Sequence, residues 1–177
     1  MISPHLDLAK KYWEVLLKPE DLAIDATCGN GYDTLFLAGL CSVIGLDIQE
    51  QALANTEALL AKHQKEVSLH LLSHAAIDTL LLPFPPRLIV YNLGYLPRGD
   101  KAITTKVLST LESVDKGLKL LAPEGALSIT CYPGHEEGAK EEKVLEEWAM
   151  QLPPNEWSVR HHKWASRSPS LLWISKA

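Results

Sequence analysis

The stretch Leu22-Ala23-Ile24-Asp25-Ala26-Thr27-Cys28-Gly29-Asn30-Gly31-Tyr32-Asp33-Thr34 decides how this chain is read. Leu22 to Ala26 is a short apolar run that stops at a glycine-containing turn, which marks a strand buried on both faces. Gly29 and Gly31 let the backbone turn sharply and approach a ligand closely, where a Cβ would obstruct. Working outward, Ser42 to Asp47 reads as a second strand, Gln49 to His63 has helix-forming composition, and Val67 to Leu72 and Arg87 to Tyr91 read as strands three and four.

Ile103, Val107, Leu108, Leu111, Val114, Leu118 and Leu121 make one apolar face of a long helix, stopped by Pro123-Glu124-Gly125. Ala126 to Tyr132 is a fifth strand, and Val144, Leu145, Trp148 and Leu152 mark a second amphipathic helix closed by Pro153-Pro154. Trp157 to Ala165 and Ser170 to Ser175 follow with no helix between them, so they form an antiparallel hairpin at the sheet edge. Alternating strands and helices imply an α/β fold. The expected architecture is a mostly parallel seven-stranded sheet with helices on both faces and a C-terminal antiparallel hairpin. That order resembles the Rossmann-like sheet of class I methyltransferases. In such sheets ligands bind outside the carboxyl ends of the strands, where strand order reverses.

The chain has 177 residues, 46% apolar and 22% charged, and reads as one domain spanning residues 1–177. No apolar run approaches the roughly 18 residues of a membrane span, and the N-terminus lacks the pattern of a secretory signal. Cys28, Cys41 and Cys131 have no metal-ligand spacing and read as reduced thiols, which points to a cytoplasmic protein with no metal and no membrane partner. The net charge of −5 argues mildly against a nucleic-acid partner. It is unevenly spread: Gly134–Glu156 carries seven acids against two lysines, while Trp157–Ala177 carries Arg160, Lys163, Arg167 and Lys176 and no acid. A solvated acidic helix beside strands with exposed basic residues accounts for this equally well.

The glycine loop is flanked by Asp25 and Asp33, which would repel a pyrophosphate, and Thr34 stands where a dinucleotide fingerprint has its third glycine. Two carboxylates suit the cationic amino group of a methionine moiety, so S-adenosylmethionine is the expected cofactor. Asp33 could otherwise serve only as a helix cap. Asp47, sixteen residues past Gly31, ends the second strand where an acid can accept both ribose hydroxyls, with Gln49 beside it. Ser73-His74 follows the third strand, where adenine would lie. The candidate donor-binding residues are therefore Asp25, Thr27, Gly29, Asn30, Gly31, Asp33, Thr34, Asp47, Gln49, Ser73 and His74.

The fourth strand ends in Asn92-Leu93-Gly94-Tyr95-Leu96-Pro97. This resembles the Asn-Pro-Pro-Tyr loop of methyltransferases acting on exocyclic amines, with Leu93 and Gly94 replacing both prolines. In that loop the Asn accepts the amine's hydrogens and the ring stacks on a flipped base. The segments Asp25–Thr34, Asp47-Ile48-Gln49, Ser73-His74 and Asn92–Lys101 together resemble a bacterial rRNA-methylase family similar to the tRNA wobble-uridine methyltransferases. Tyr132-Pro133-Gly134-His135 resembles that family's Tyr-His-Gly-His segment, with Pro133 in place of a His. Ala38 to Ser42 looks shorter than the family's usual link.

The resemblance implies N-methylation of 5-aminomethyl-2-thiouridine in the tRNA anticodon region. Asn92 and Tyr95 would orient the amine and its base, and Asp100 or His135 would receive a proton. Lys101, Thr104 and Thr105 are candidate phosphate contacts or simply a capped helix start. His161-His162 fits an edge strand with alternating faces, and Trp13, Trp148, Trp157, Trp164 and Trp173 are expected in the core and sheet packing. An rRNA or small-molecule amine methyltransferase, a non-catalytic donor-binding module and a nicotinamide oxidoreductase are the rival readings. The sequence does not decide between a monomer and a homodimer.

Overall fold

The computed structural model describes residues 3–94 and 107–177. Strands β1 (Leu22–Asp25), β2 (Ser42–Asp47), β3 (Ser68–Leu71), β4 (Leu88–Leu93), β5 (Ala126–Cys131), β6 (Trp157–His162) and β7 (Ser170–Lys176) form one sheet in the order β3-β2-β1-β4-β5-β7-β6. β1 to β5 run parallel, β7 is antiparallel to β5, and β6 is antiparallel to β7 at the edge. The chain steps from β1 through β2 to β3, then returns to place β4 on the other side of β1. Strand order therefore reverses between β1 and β4, and a crevice opens at their carboxyl ends.

Alternation along each strand sends successive side chains to opposite layers. On one side Ile24, Ile89, Tyr91 and Ile129 pack with Val114 and Leu118 of α4 (Val107–Leu120) and Leu145 of α5 (Glu136–Met150). On the other, Ala23, Leu88, Val90 and Trp173 pack with Trp13 of α1 (Pro4–Leu16) and Leu37 of α2 (Tyr32–Ala38). The helix α3 (Glu50–Lys62) buries Ala52, Thr56 and Leu60.

The first helix carries a layer that the periodicity of the later segments does not announce. Pro4 sits in its first turn, where a missing N–H costs nothing, and Ala9 and Trp13 fall on one face. Trp13 is buried and its Nε1 donates to Ser128 Oγ at 3.0 Å. Truncating an aromatic so placed costs on the order of 3–5 kcal/mol. Tyr12 stacks on Trp173 with ring centroids 4.5 Å apart, and its hydroxyl is 2.9 Å from His162 Nε2.

Some details depart from the sequence reading and others follow it. Trp164 is 41% exposed, beyond the end of β6, so it belongs to neither core nor sheet packing. The turn after α2 is tight because Gly39, Leu40 and Cys41 donate their N–H groups back to Phe36 and Leu37. A short 3₁₀ helix, His74–Thr79, follows β3. His161 and His162 do alternate, His161 toward Glu146 of α5 and His162 toward Tyr12 of α1. Among the described residues no helix is long and apolar enough to cross a membrane.

Candidate active site

The loop after β1 is shaped from beneath by Asp25. This carboxylate has no exposed surface; one oxygen accepts from Thr27 N–H at 3.2 Å and the other from Thr34 Oγ1 at 2.7 Å. Burial, helped by the nearby charge of Asp33, pushes its pKa up to about 7. Thr34 is equally buried. Asp25 and Thr34 were expected as ligand contacts; with no accessible surface they instead hold the loop in shape.

The loop then lies flat on α3. Gly31 has φ +91°, and a Cβ there would stand 2.8 Å from Thr56 Cα. Thr56 Oγ1 donates to the Gly29 carbonyl at 3.1 Å, and Asn55 Nδ2 donates to Asn30 Oδ1 at 3.0 Å. Asp47, half-buried at the end of β2, accepts from Gly29 N–H at 3.0 Å and from Gln49 N–H at 2.9 Å. Each carboxylate oxygen keeps a further lone pair for a diol.

After β3, Ser73 Oγ accepts from Ala75 N–H, while the His74 ring packs edge-on against Tyr91 with centroids 5.6 Å apart. Burial lowers the His74 pKa to about 4, so the ring is neutral. Its buried Nδ1 has no hydrogen-bond partner among the described residues.

At the end of β4, Asn92 is held at three points. Its N–H donates to Thr27 Oγ1 at 2.6 Å, its Nδ2 donates to Asp33 at 2.6 Å, and its Oδ1 lies 3.4 Å from the Tyr132 hydroxyl. A carboxylate only accepts, so Asp33 fixes which end of the amide is the donor and leaves Oδ1 as the outward acceptor. Burial raises the Asp33 pKa, opposed by the Asn92 hydrogen bond and by Lys10 and His5. The Tyr132 ring lies against Gly94, where a Cβ would stand 3.5 Å from it, and burial lifts its phenol to about 12. His5, from the first turn of α1, meets the same ring edge-on with centroids 6.1 Å apart. Burial lowers the His5 pKa against the pull of Asp33 and Asp7.

His135 is the N-cap of α5, and its Nδ1 accepts from Gly138 N–H at 3.2 Å. The ring of His135, expected as a proton acceptor, is thus engaged in capping α5. Tyr95, Asp100, Lys101, Thr104 and Thr105 lie outside the described residues. His5 and Tyr132 were not assigned to the site from sequence; Pro4 ahead of the Ala9–Trp13 face was the signal that a helix begins there.

Partly exposed polar groups thus ring the carboxyl ends of β1, β2 and β4: Thr27, Asn30 and Asp33 on the loop, Asp47, and Asn92. This donor set fits S-adenosylmethionine. Asp47 suits the ribose diol, and Asp33 suits the positive amino group better than any phosphate.

Comparison with known proteins agrees with this geometry. The family described as "Putative rRNA methylase" matches residues 43–175. A chloroplastic tRNA (mnm(5)s(2)U34)-methyltransferase of Arabidopsis thaliana is 34% identical, covering 96% of this chain and 68% of the relative. A crystal structure described as a putative rRNA-methylase from Clostridium thermocellum superimposes with TM-score 0.94 at 32% identity, covering 100% of both chains. One described as a putative methyltransferase from Streptococcus mutans, in complex with SAH (S-adenosylhomocysteine), gives TM-score 0.91 at 32% identity, again over 100% of both chains.

Proposed function

This chain belongs to the rRNA methylase family matched above, and we propose that it methylates the aminomethyl nitrogen of 5-aminomethyl-2-thiouridine at the tRNA wobble position. As an S-adenosylmethionine-dependent methyltransferase, it must bring a neutral amine in line with a methyl group. The observation that carries the reading is the orientation of Asn92. Asp33 takes the Nδ2 end at 2.6 Å, so Oδ1 stands ready to accept an amine hydrogen and aim the nitrogen lone pair.

When bound, the donor supplies a methyl carbon activated by attachment to a sulfonium. The nitrogen lone pair would form the new bond to that carbon as the carbon–sulfur bond breaks, and the resulting ammonium would release one proton to solvent. Thr27 anchors the Asn92 backbone to the donor loop, so the amine-orienting and donor-holding groups move as one unit. An alkyl amine is mostly protonated at neutral pH. The half-buried walls formed by Tyr132 and His5 disfavour that charge and help the neutral form. The similarity to the Arabidopsis enzyme supports tRNA as the substrate.

Nucleoside mass spectrometry tests the proposal. tRNA from cells lacking the protein should accumulate 5-aminomethyl-2-thiouridine, and purified enzyme with donor should convert it to the methylaminomethyl nucleoside. A tRNA profile unchanged by both deletion and incubation rejects the substrate and leaves the methyltransferase assignment standing.

A further inference from the structure

Beyond Tyr132 the chain opens into a groove of about 580 Å³ between the start of α5 and the β6–β7 loop. Pro133 and His135 line one wall, and Lys163, Trp164 and Arg167 the other. Pro133 on its wall directly follows Tyr132, whose hydroxyl meets Asn92, so the groove begins one residue along the chain from the site. Its size falls within the ~300–1,000 Å³ of small-ligand sites.

Two features of the walls bear on what the groove holds. Trp164 presents 41% of its surface to solvent, while Trp13 and Trp173 are buried. An exposed aromatic on a loop is costly to leave in water and is the platform on which unpaired bases stack. Arg167 holds φ +65°, a left-handed conformation that a long side chain rarely adopts. Its guanidinium donates to the Gly134 carbonyl at 2.8 Å and so ties the two walls together.

Charge completes the case. Of the two acids lining the groove, Glu136 pairs with Lys140 and Glu142 accepts from Ser170, while Glu146 holds Lys163 and His161 in place at its side. The Arg167 guanidinium donates to a neutral carbonyl, which leaves its positive charge on the rim. Aromatic face and cation together match a nucleotide rather than a free anion or an apolar peptide.

We propose that this groove seats an unpaired nucleotide next to the one being methylated, its base on Trp164 and its phosphate beside Arg167 and Lys163. The inference rests on the reading of a tRNA loop as substrate. It also explains how a chain with net charge −5 engages RNA, through a local contact rather than a broad basic surface.

The test is fluorescence anisotropy of a labelled anticodon stem–loop RNA with the full chain, its Trp164→Ala, Trp164→Phe and Arg167→Ala variants. S-adenosylhomocysteine binding by calorimetry confirms that each variant is folded. Trp164→Ala should weaken RNA binding about tenfold and Trp164→Phe much less, since a smaller ring still stacks. Arg167→Ala should flatten the salt dependence by about one phosphate contact. RNA binding unchanged in Trp164→Ala, or lost equally in Trp164→Phe, overturns the groove alone. Wild-type protein that binds no RNA overturns the groove and the tRNA reading together.

Discussion

Replacing Asn92 with Ala removes the amide that joins the donor loop to the acceptor position. Two contacts disappear, the 2.6 Å bond to Asp33 and the acceptor Oδ1 near Tyr132. The first is charge-assisted and half-buried, so its loss should cost about 1.5–3 kcal/mol of local stability at most. The backbone bond from Asn92 N–H to Thr27 remains, which keeps the strand end in place. The second loss falls on catalysis. A single pre-positioned polar group aimed at the reacting atoms is worth on the order of 10²–10³-fold in kcat.

Donor binding, by contrast, runs through Asp47 and the loop and should stay within about threefold. Single-turnover methyl transfer with excess enzyme isolates the chemical step, and calorimetry with S-adenosylhomocysteine reads donor affinity. Asn92→Asp sharpens the test, because it sets two carboxyls about 2.6 Å apart whose repulsion delays the second ionisation to higher pH. With one proton shared, the pair still donates to Asp33 and keeps an outward acceptor; with both ionised, it does not. That variant should therefore lose relative activity as pH rises. A turnover rate in Asn92→Ala within about threefold of wild type would refute the orienting role.

Asp47→Ala removes the acceptor of both Gly29 and Gln49 N–H groups together with the proposed ribose contact. It should weaken S-adenosylhomocysteine binding about 10–100-fold by calorimetry, and an unaltered affinity rejects the assignment. Gly31→Ala combines φ +91° with a Cβ 2.8 Å from Thr56 Cα, so it should cost about 2 kcal/mol and lower Tm by about 4–8 °C in a thermal melt. Stability should also respond to pH through Glu141, whose buried carboxyl is raised to about 7 while accepting from Thr110. A raised acid binds its proton more tightly in the folded state, so its contribution is full below its ordinary pKa and is lost as pH rises through about 7. The urea midpoint of Glu141→Gln should thus gain on wild type between about pH 5 and 8, whereas a pH-independent gap contradicts the burial argument.

Much of this protein is legible in its residue order. Apolar runs ending in turns mark β1, β2, β4 and β5, and the absence of a helix between β6 and β7 marks the antiparallel pair. These signals are local, because strand and helix periods repeat within a few residues. The glycine loop and Asp47 are legible for the same reason: each belongs to a strand end, and a parallel sheet gathers its strand ends at one edge. Helix α1 is less legible, because of its 13 residues only Ala9 and Trp13 are buried and so the apolar stripe is narrow. What only the tertiary structure decided is which side chains meet. Asn92 and Asp33 lie 59 residues apart, and Asn92 and Thr27 lie 65 apart, so no pattern along the chain sets the amide's direction. Asp25 and Thr34 share a motif with open-facing neighbours, yet the loop turns them inward. His135 caps a helix, and Trp164 faces solvent although its type suits a core aromatic equally well. Residue type limits what a group can do; the crossover of β4 to the far side of β1 determines where it does it.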